Sequence, residues 1–274
     1  MFSIRRALAL IPRAPKQAVH STENALQGAD EPKVLGDSLS RRPSPFAGAV
    51  FLTTVADLTQ LPSGGAPEVA FAGRSNAGKS SAINALVGRA GLARVSRTPG
   101  RTQHLNFFQL SKGALLVDLP GYGYAAASEQ ARRKWAQLVT RYLSARASLV
   151  GLVLIADSRH PLTRLDHQLL DWFLPSNLPV HVLLTKADKL IARERALALD
   201  RAREALVRFH SDRTQQLSAQ LFSSSHRWGV AEATEAIGAW LARIRCDDTK
   251  RKAPASRGVT RGRKRPAIGE DSQP

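Results

Sequence analysis

The sequence predicts an α/β fold in which a mostly parallel central sheet carries helices on both of its faces. Short apolar runs alternate along the chain with stretches of helical spacing. Several of these runs are apolar almost throughout, as in SLVGLVLIAD at 148–157. Continuous apolarity is typical of strands that are buried on both faces, and such strands belong to parallel sheets covered by helices.

The elements follow one another in a regular order. Six strands are predicted, at 68–73, 104–110, 114–120, 148–157, 179–188 and 219–224. A Ser-Lys-Gly turn joins the second strand to the third. Five helices are predicted between and after them: 80–88, 128–145, 163–173, 190–208 and 230–243. No internal repeat is evident, so the predicted folded domain is a single unit over 46–245.

Two basic tails flank this domain. Residues 1–45 are polar and punctuated by Pro, and 246–274 interleaves Lys and Arg with Gly and Pro, so both tails are predicted to be disordered. The first 22 residues carry Arg and Lys but no acidic residue, which resembles an organellar transit peptide. A disordered bacterial extension has the same appearance. The Ala/Arg bias of the whole chain favours the bacterial interpretation, and with it a cytoplasmic location.

Charge is the unusual feature of the composition. The chain has 40 Lys and Arg against 22 Asp and Glu, a formal net charge of +18. Such a balance favours a polyanionic partner, although basic tails can also serve solubility alone. The single cysteine, Cys246, excludes an internal disulfide framework. No apolar run approaches the roughly 20 residues that span a bilayer.

The segment GRSNAGKS at 73–80 fits the pattern G-x-x-x-x-G-K-[ST] and lies between a predicted strand and a predicted helix. Gly73 and Gly78 let the backbone wrap closely around phosphates, with successive N–H groups pointing inward at a helix N-terminus. Lys79 brings a positive charge to the β- and γ-phosphates, and the Ser80 hydroxyl is a natural ligand for Mg²⁺. This loop alone does not distinguish between ATPases, kinases and GTPases.

Motifs at the ends of two further strands favour a GTPase among these classes. DLPG at 118–121 places Asp118 where it can hold Mg²⁺ through water, and Gly121 where its N–H can reach the γ-phosphate. TKAD at 185–188 resembles the guanine-reading element [NT]-K-x-D. Asp188 would accept hydrogen bonds from the guanine N1–H and amino group, a pair of donors that adenine lacks. Lys186 would lie against the base, and the Thr185 hydroxyl would bond the phosphate-binding loop.

Two loops complete the predicted site. SRTPGRTQ at 96–103 lies where a first switch loop belongs, and Thr102 is the candidate for a second Mg²⁺-binding hydroxyl, with Thr98 as its competitor. Ser223 and Ser224 follow the last strand and would close over the base, although serines in such a position are often only a solvated loop. The predicted nucleotide-binding set also includes the neighbours Arg74, Ser75, Asn76, Ala77, Ser81, Gly100 and Arg101.

Several of these segments together resemble the EngB/YsxC (YihA) family of ribosome-biogenesis GTPases: GRSNAGKS, TPGRTQ, DLPGYGYA, TKADK and FSS. The resemblance covers about 49–243. It implies a Ras-like fold, GTP and GDP cycling with Mg²⁺, and action in assembly of the bacterial large ribosomal subunit, with an indirect need in septation. It also assigns the switch threonine to Thr102. Relatives tend to show Ser-Ala and a nearby Lys where this chain has Ser223 and Ser224 followed by His226 and Arg227.

The catalytic group that orients the attacking water is not evident. Many small GTPases place Gln directly after the glycine of DxxG, where this chain has Tyr122. Slow intrinsic turnover is therefore expected. A partner, another side chain or a monovalent cation would complete the catalytic site. In relatives with Asn at the position of Asn76, the side chain can help to coordinate K⁺ near the phosphates, although Asn76 can also simply shape the loop. Lys79, Thr102, Gly121 and Asn76 are the predicted catalytic residues.

The expected protein is thus a monomeric GTPase that acts on a pre-ribosomal large subunit and its rRNA. A second hypothesis is an RNA-binding protein whose nucleotide site is mainly structural. A third is an ATP-dependent enzyme such as a kinase, against which Asp188 speaks.

Overall fold

The computed structural model describes residues 44–94, 104–123, 129–209 and 216–252. Its strands are β1 (Val50–Val55), β2 (Glu68–Gly73), β3 (Leu105–Gln109), β4 (Leu115–Asp118), β5 (Leu149–Asp157), β6 (Val180–Thr185) and β7 (Leu217–Leu221). Its α-helices are α1 (Lys79–Val87), α2 (Glu129–Ala145), α3 (Arg164–Phe173), α4 (Ala192–Phe209) and α5 (Val230–Lys252). None of the helices in these ranges is long and apolar enough to cross a membrane.

All seven strands form one sheet in the order β1-β3-β4-β2-β5-β6-β7. Five neighbouring strands of the sheet run parallel to one another, namely β4, β2, β5, β6 and β7. Strand β3 pairs antiparallel with both β1 and β4. The tight turn predicted between β3 and β4 is present, with the Leu110 N–H donating to the Ala114 carbonyl at 2.8 Å. Because parallel strands share a direction, β2, β4, β5 and β6 all end at the same edge of the sheet.

Helices cover the sheet on both faces. On one face α2, α3 and α4 bury Tyr142, Phe173 and Leu206 against the strands. On the other face α1 and α5 bury Ile83 and Ile237. Neighbouring residues of β2 and β5 alternate between these two cores, as the period of two along a strand requires. The predicted α/β fold, with helices on both faces of a mostly parallel sheet, is confirmed.

The structure differs from the predicted elements at both ends. Strand β1 is absent from the prediction, because only Val55 of its six residues is buried and VFLTTV shows no alternation of apolar and polar residues. It is an edge strand held by β3, with the rings of Phe51 and Phe108 at 5.9 Å. At the other end, α5 continues to Lys252, past the predicted domain boundary at residue 245.

A buried polar cluster lies where β2 begins, at the edge of the sheet opposite to its carboxyl ends. The Glu68 side chain is fully buried and accepts hydrogen bonds from the Tyr142 hydroxyl at 2.8 Å and from Arg146 Nε at 2.9 Å. Burial, and then the charge of Glu68, raise the pKa of Tyr142 well above its usual value, so the phenol stays protonated. The carboxylate is therefore fully paired despite its burial.

Candidate nucleotide-binding site

The loop between β2 and α1 is shaped by its glycines. A Cβ on Gly73 would lie 2.6 Å from the Ile155 carbonyl oxygen and 2.9 Å from the Ile155 Cβ, so only glycine fits beside β5. Asn76 and Gly78 have φ angles of 64° and 95°, in the left-handed region. Gly78 caps α1, whose first residue is Lys79, so the N-terminus of this helix begins where the loop ends. The backbone thus forms the concave loop that the sequence predicts.

Lys79 and Asp118 form an ion pair at the centre of the site. Lys79 Nζ contacts Asp118 Oδ1, and both residues are buried, with 8% and 5% of their surface exposed. Asp118 is the last residue of β4, directly beside β2 in the sheet. Ser80 and Ser81 lie in the first turn of α1 and are partly buried. The charges of the ammonium and the carboxylate therefore compensate each other within the fold.

The donor set suits a magnesium ion bound together with phosphates. Within the described ranges, no cluster of three or more His, Cys, Asp and Glu side chains could hold a metal ion by itself. Ser80 and Asp118 offer one hydroxyl and one carboxylate. Mg²⁺ typically takes one or two protein oxygens and completes its shell with water and substrate phosphate, so this small oxygen set fits the ion.

The TKAD segment is fastened to the phosphate-binding loop. The Thr185 hydroxyl contacts the Ala77 carbonyl, as expected from the sequence, and also lies 3.0 Å from the Ala156 carbonyl. Lys186, at φ 58°, donates from Nζ to the Asn76 carbonyl at 2.7 Å. The lysine side chain therefore lies across the phosphate-binding loop.

Asp157, the last residue of β5, is a member of this site that the sequence reasoning missed. Its Oδ2 lies 2.9 Å from Lys186 Nζ and 2.7 Å from Arg159 Nη2. Burial alone would raise the pKa of Asp157, but the hydrogen bonds from Arg159 and Lys186 outweigh it and hold the pKa well below its usual range. The sequence did contain a signal for this residue, since Asp157 is an acidic residue at the carboxyl end of a buried strand.

Asp188 is held by the loop that follows β7. The Ser223 hydroxyl donates to Asp188 Oδ1 at 2.7 Å, and Lys189 Nζ lies 3.5 Å from Oδ2. Burial acts to raise the pKa of Asp188, but the hydrogen bond from Ser223 and the nearby positive charges lower it on balance. Ser223 is fully buried, whereas its neighbour Ser224 is only partly so. The loop after β7 thus directly contacts the Asp188 carboxylate.

Gly121 and Tyr122 connect DLPG to the phosphate-binding loop. The Ser75 N–H donates to the Tyr122 carbonyl at 2.7 Å, and a Cβ on Gly121 would lie 3.4 Å from the Ser75 Cα. Arg74 is paired with Tyr122 in a short bridge, and its side chain lies beside Gly123. Main-chain contacts therefore couple the segment after β4 to the phosphate-binding loop.

The Tyr122 side chain is directed into the fold. Only 5% of Tyr122 is exposed, its hydroxyl donates to Asp166 Oδ1 of α3 at 2.5 Å, and its ring lies 5.4 Å from that of Trp135. Burial, and then the charge of Asp166, raise the pKa of Tyr122 well above its usual value. A protonated phenol that is committed to Asp166 does not orient a water molecule at the γ-phosphate.

Three of the predicted site residues, Gly100, Arg101 and Thr102, lie outside the described residues, as does the competitor Thr98. The other predicted residues belong to the carboxyl ends of strands, to the loops that follow them or to the first turn of α1. A phosphate-binding loop, an Asp at the end of the adjacent strand and a fastened TKAD element together define a P-loop GTPase.

Comparisons with known proteins agree with the assignment to the P-loop GTPases. The family of 50S ribosome-binding GTPases matches residues 68–186. The probable GTP-binding protein EngB of Azoarcus sp. (strain BH72) is 54% identical over 196 residues, which cover 72% of this chain and 92% of that protein. The corresponding protein of Dechloromonas aromatica (strain RCB) is 53% identical over 213 residues, or 78% and 96% of the two chains. This chain belongs to the EngB family of GTP-binding proteins.

A solved structure shows the same fold. The crystal structure of a probable GTP-binding protein EngB superimposes with a TM-score of 0.51 at 18% identity, over 64% of this chain and 99% of that one. The superposed region therefore spans almost the whole of that smaller protein, and the remainder of this chain lies outside it.

Proposed function

We propose that this protein binds GTP with Mg²⁺, hydrolyses it slowly to GDP and phosphate, and uses this cycle as a switch in the assembly of the large ribosomal subunit. The observation that carries the proposal is the arrangement around Asp188. Its carboxylate is oriented by Ser223 and kept ionised, and it stands next to a lysine that lies across the phosphate-binding loop. A carboxylate in this position pairs with the two adjacent donors of guanine and has no such pair in adenine.

The phosphate side of the site supports nucleotide binding by an exchange of partners. A bound nucleotide would offer phosphate oxygens to Lys79, which now contacts Asp118. Asp118 would then be free to hold Mg²⁺ together with Ser80 and Thr102. When bound, Mg²⁺ would neutralise charge on the β- and γ-phosphates. Lys79 and Asp118 are both buried, so they would be shielded from water with and without a bound nucleotide. Their surroundings would therefore need little reorganisation when the nucleotide binds.

Hydrolysis is proposed to be slow because the position after Gly121 is occupied by the buried Tyr122. Another group must therefore orient the water or offset the developing charge. Asn76 is a candidate for the second role through K⁺, since its backbone has a left-handed conformation and its side chain is exposed on the phosphate-binding loop. A ribosomal partner is the other candidate.

The partner is proposed from charge and from family. A net charge of +18 favours binding to polyanions, and rRNA is the most abundant one in the bacterial cytoplasm, where we place the protein as a monomer. The matching family is described as ribosome-binding. A need in septation would follow indirectly, since cell division depends on ribosome supply.

The proposal is tested first by titrating the full-length protein with fluorescent GDP, GTP and ATP analogues in the presence of Mg²⁺. Binding of guanine nucleotides alone, lost in Lys79→Ala, is expected. Asp188→Asn should transfer the preference to xanthine nucleotides, because an amide pairs with the carbonyl of xanthine. Equal affinity for ATP would overturn the guanine assignment.

The ribosomal step needs a second experiment. Sedimentation of the protein with isolated large-subunit precursors is expected to depend on whether a non-hydrolysable GTP analogue or GDP is bound. Equal binding in both states, together with undiminished binding by Lys79→Ala, would support the alternative of an RNA-binding protein whose nucleotide site is structural.

A further inference from the structure

A second groove lies away from the phosphate-binding loop, between α4, the end of β7 and the start of α5. It is open to solvent and has a volume of about 430 Å³. Six residues define it here: Arg195, Leu199, Arg203, Leu221, Trp228 and Glu232. We refer to this set as the Trp228 groove. Arg195, Leu199 and Arg203 are spaced by four residues on α4 and so share one face of that helix.

The floor of the groove is apolar and its most prominent wall is an exposed tryptophan. Leu199 and Leu221 are partly buried beneath it, whereas 42% of Trp228 is exposed. The tryptophan is held in place by its backbone, because the Ser223 N–H donates to the Trp228 carbonyl at 3.0 Å. The His226 ring packs against the indole with the centroids 5.1 Å apart. A large aromatic surface is thus presented to solvent in a fixed orientation.

Positive charge surrounds this aromatic surface. The Arg195 guanidinium carbon lies 4.9 Å from the centre of the Trp228 ring, within the range of a cation–π contact. Among the residues that the structure describes, neither Arg195 nor Arg203 forms an ion pair. Glu232 provides a single carboxylate at the edge of the groove. Two unpaired guanidinium groups beside an exposed indole form an electrostatic site for an anion that also carries a flat ring.

A nucleotide of single-stranded RNA has this combination of properties. Unstacked bases bind to aromatic rings and to guanidinium planes, and the adjoining phosphates bind to Arg. A carboxylate such as that of Glu232 can accept a hydrogen bond from the amino group of a base. A groove of this volume falls within the range that accommodates a small ligand. An apolar protein segment would cover Trp228 and Leu221 but would leave both guanidinium groups without a partner of opposite charge.

We infer that the Trp228 groove binds an unpaired nucleotide of RNA, with the base against Trp228 and a phosphate at Arg203. The inference deepens the proposed function, because it assumes an RNA-rich partner and assigns a contact surface to it. None of the six groove residues belongs to the predicted guanine site, but Trp228 is hydrogen-bonded to Ser223 and its ring packs against His226, which lies 3.9 Å from Asp188. GDP affinity is therefore measured for each groove variant beside its RNA affinity.

The first test measures the affinity of full-length protein for a short, unstructured, fluorescently labelled RNA at physiological ionic strength. Trp228→Ala is expected to weaken binding by about 5- to 150-fold, the contribution of one base–aromatic stack. Trp228→Phe keeps a ring and should lose less. Trp172→Ala removes another exposed tryptophan, on α3, and should leave the affinity unchanged.

A charge-matched pair controls for general attraction to the basic chain. Arg203→Ala and Arg201→Ala each remove one positive charge from α4, but only Arg203 lines the groove. Arg203→Ala should weaken RNA binding clearly more than Arg201→Ala, while both variants keep wild-type affinity for GDP. Equal losses in the two variants would mean that α4 attracts RNA only through its net charge, and would overturn the inference.

Crosslinking locates the base directly. Irradiation of the complex with RNA that carries 5-iodouridine should attach the RNA to Trp228 or to its immediate neighbours, as read by mass spectrometry. Crosslinks confined to other segments would also overturn the inference. Unchanged RNA affinity in the groove variants, with weakened binding to large-subunit precursors, would identify a protein as the occupant. Loss of RNA binding in the groove variants, with no precursor binding by wild type, would retain the groove and reject the ribosomal proposal.

Discussion

The Tyr122 hydroxyl donates a 2.5 Å hydrogen bond to Oδ1 of Asp166, and this contact joins the loop after β4 to α3. Asp166 is itself buried and also accepts from the Thr163 backbone N–H, which closes the cap at the start of α3. The residue that occupies the position of a water-orienting glutamine in many other GTPases is therefore part of the core in this protein. Its contribution is structural, and this has consequences that can be measured.

Tyr122→Phe should lower the stability of the fold by about 1–2 kcal/mol, because the hydrogen bond to a charged carboxylate is lost while Asp166 keeps its bonds to Thr163. Urea unfolding provides the measurement. Intrinsic GTP turnover should stay near the wild-type rate at a temperature where both proteins are folded. A tenfold fall in turnover without loss of stability would show that the hydroxyl acts in catalysis.

Ser223→Ala should weaken GDP binding about fivefold, the equivalent of one hydrogen bond that orients Asp188. The adjacent Ser224→Ala is the matched control, because its hydroxyl is less buried and lies one residue beyond the contact. Competition titration with a fluorescent GDP analogue compares the two. Equal effects would show that the loop after β7 acts as a whole and that the Ser223 hydroxyl has no special part.

Asp157→Asn should make stability less dependent on pH in the acidic range. The folded pKa of Asp157 is lowered by Arg159 and Lys186, so its carboxylate contributes stability that is present above the unfolded pKa of about 3.9. That contribution is lost as the pH falls through this value towards the folded pKa. The difference in unfolding free energy between wild type and variant should therefore be largest near neutral pH and shrink below about pH 4. Urea denaturation at a series of pH values measures the difference, and a constant one would contradict the assignment.

Arg146→Ala should destabilise the protein by about 2–3 kcal/mol, because it leaves the buried Glu68 with Tyr142 as its remaining side-chain partner. The loss is smaller than the roughly 3–5 kcal/mol of a fully buried broken pair, because the phenol still donates and the Arg146 side chain is partly exposed. Arg133→Ala removes an exposed partner of Glu129 and should cost about 0–0.5 kcal/mol. Thermal unfolding of the two variants would reject the ranking if both shifted the midpoint equally.

The sequence was sufficient to predict the fold class and the order of the elements from β2 onward. Long apolar strands and a loop of defined spacing carry strong local signals, and they placed Lys79, Asp118 and Asp188 at one edge of the sheet. Strand β1 escaped prediction because an edge strand is exposed on one side, and VFLTTV has no pattern of burial that distinguishes it from a loop.

The contacts across the site required the three-dimensional structure. The pairing of Lys186 with Asp157 joins strands β5 and β6, and the contact of Ser223 with Asp188 joins two loops that are far apart in the chain. Nothing in the local sequence reports such partners, since they depend on the register of the sheet. The Trp228 groove is a similar case, because the arginine and the tryptophan that form it come from different elements.

The absence of space around Gly73 affects how its variants should be interpreted. Any side chain there would collide with the backbone of β5, 2.6 Å away at the Ile155 carbonyl, before it reached a ligand. A Gly73 variant that no longer takes up nucleotide would therefore report a displaced strand and not a missing phosphate contact. Gly73 belongs both to the site and to a central strand of the sheet, so a genetic screen for loss of activity would recover folding defects at the first glycine of the motif.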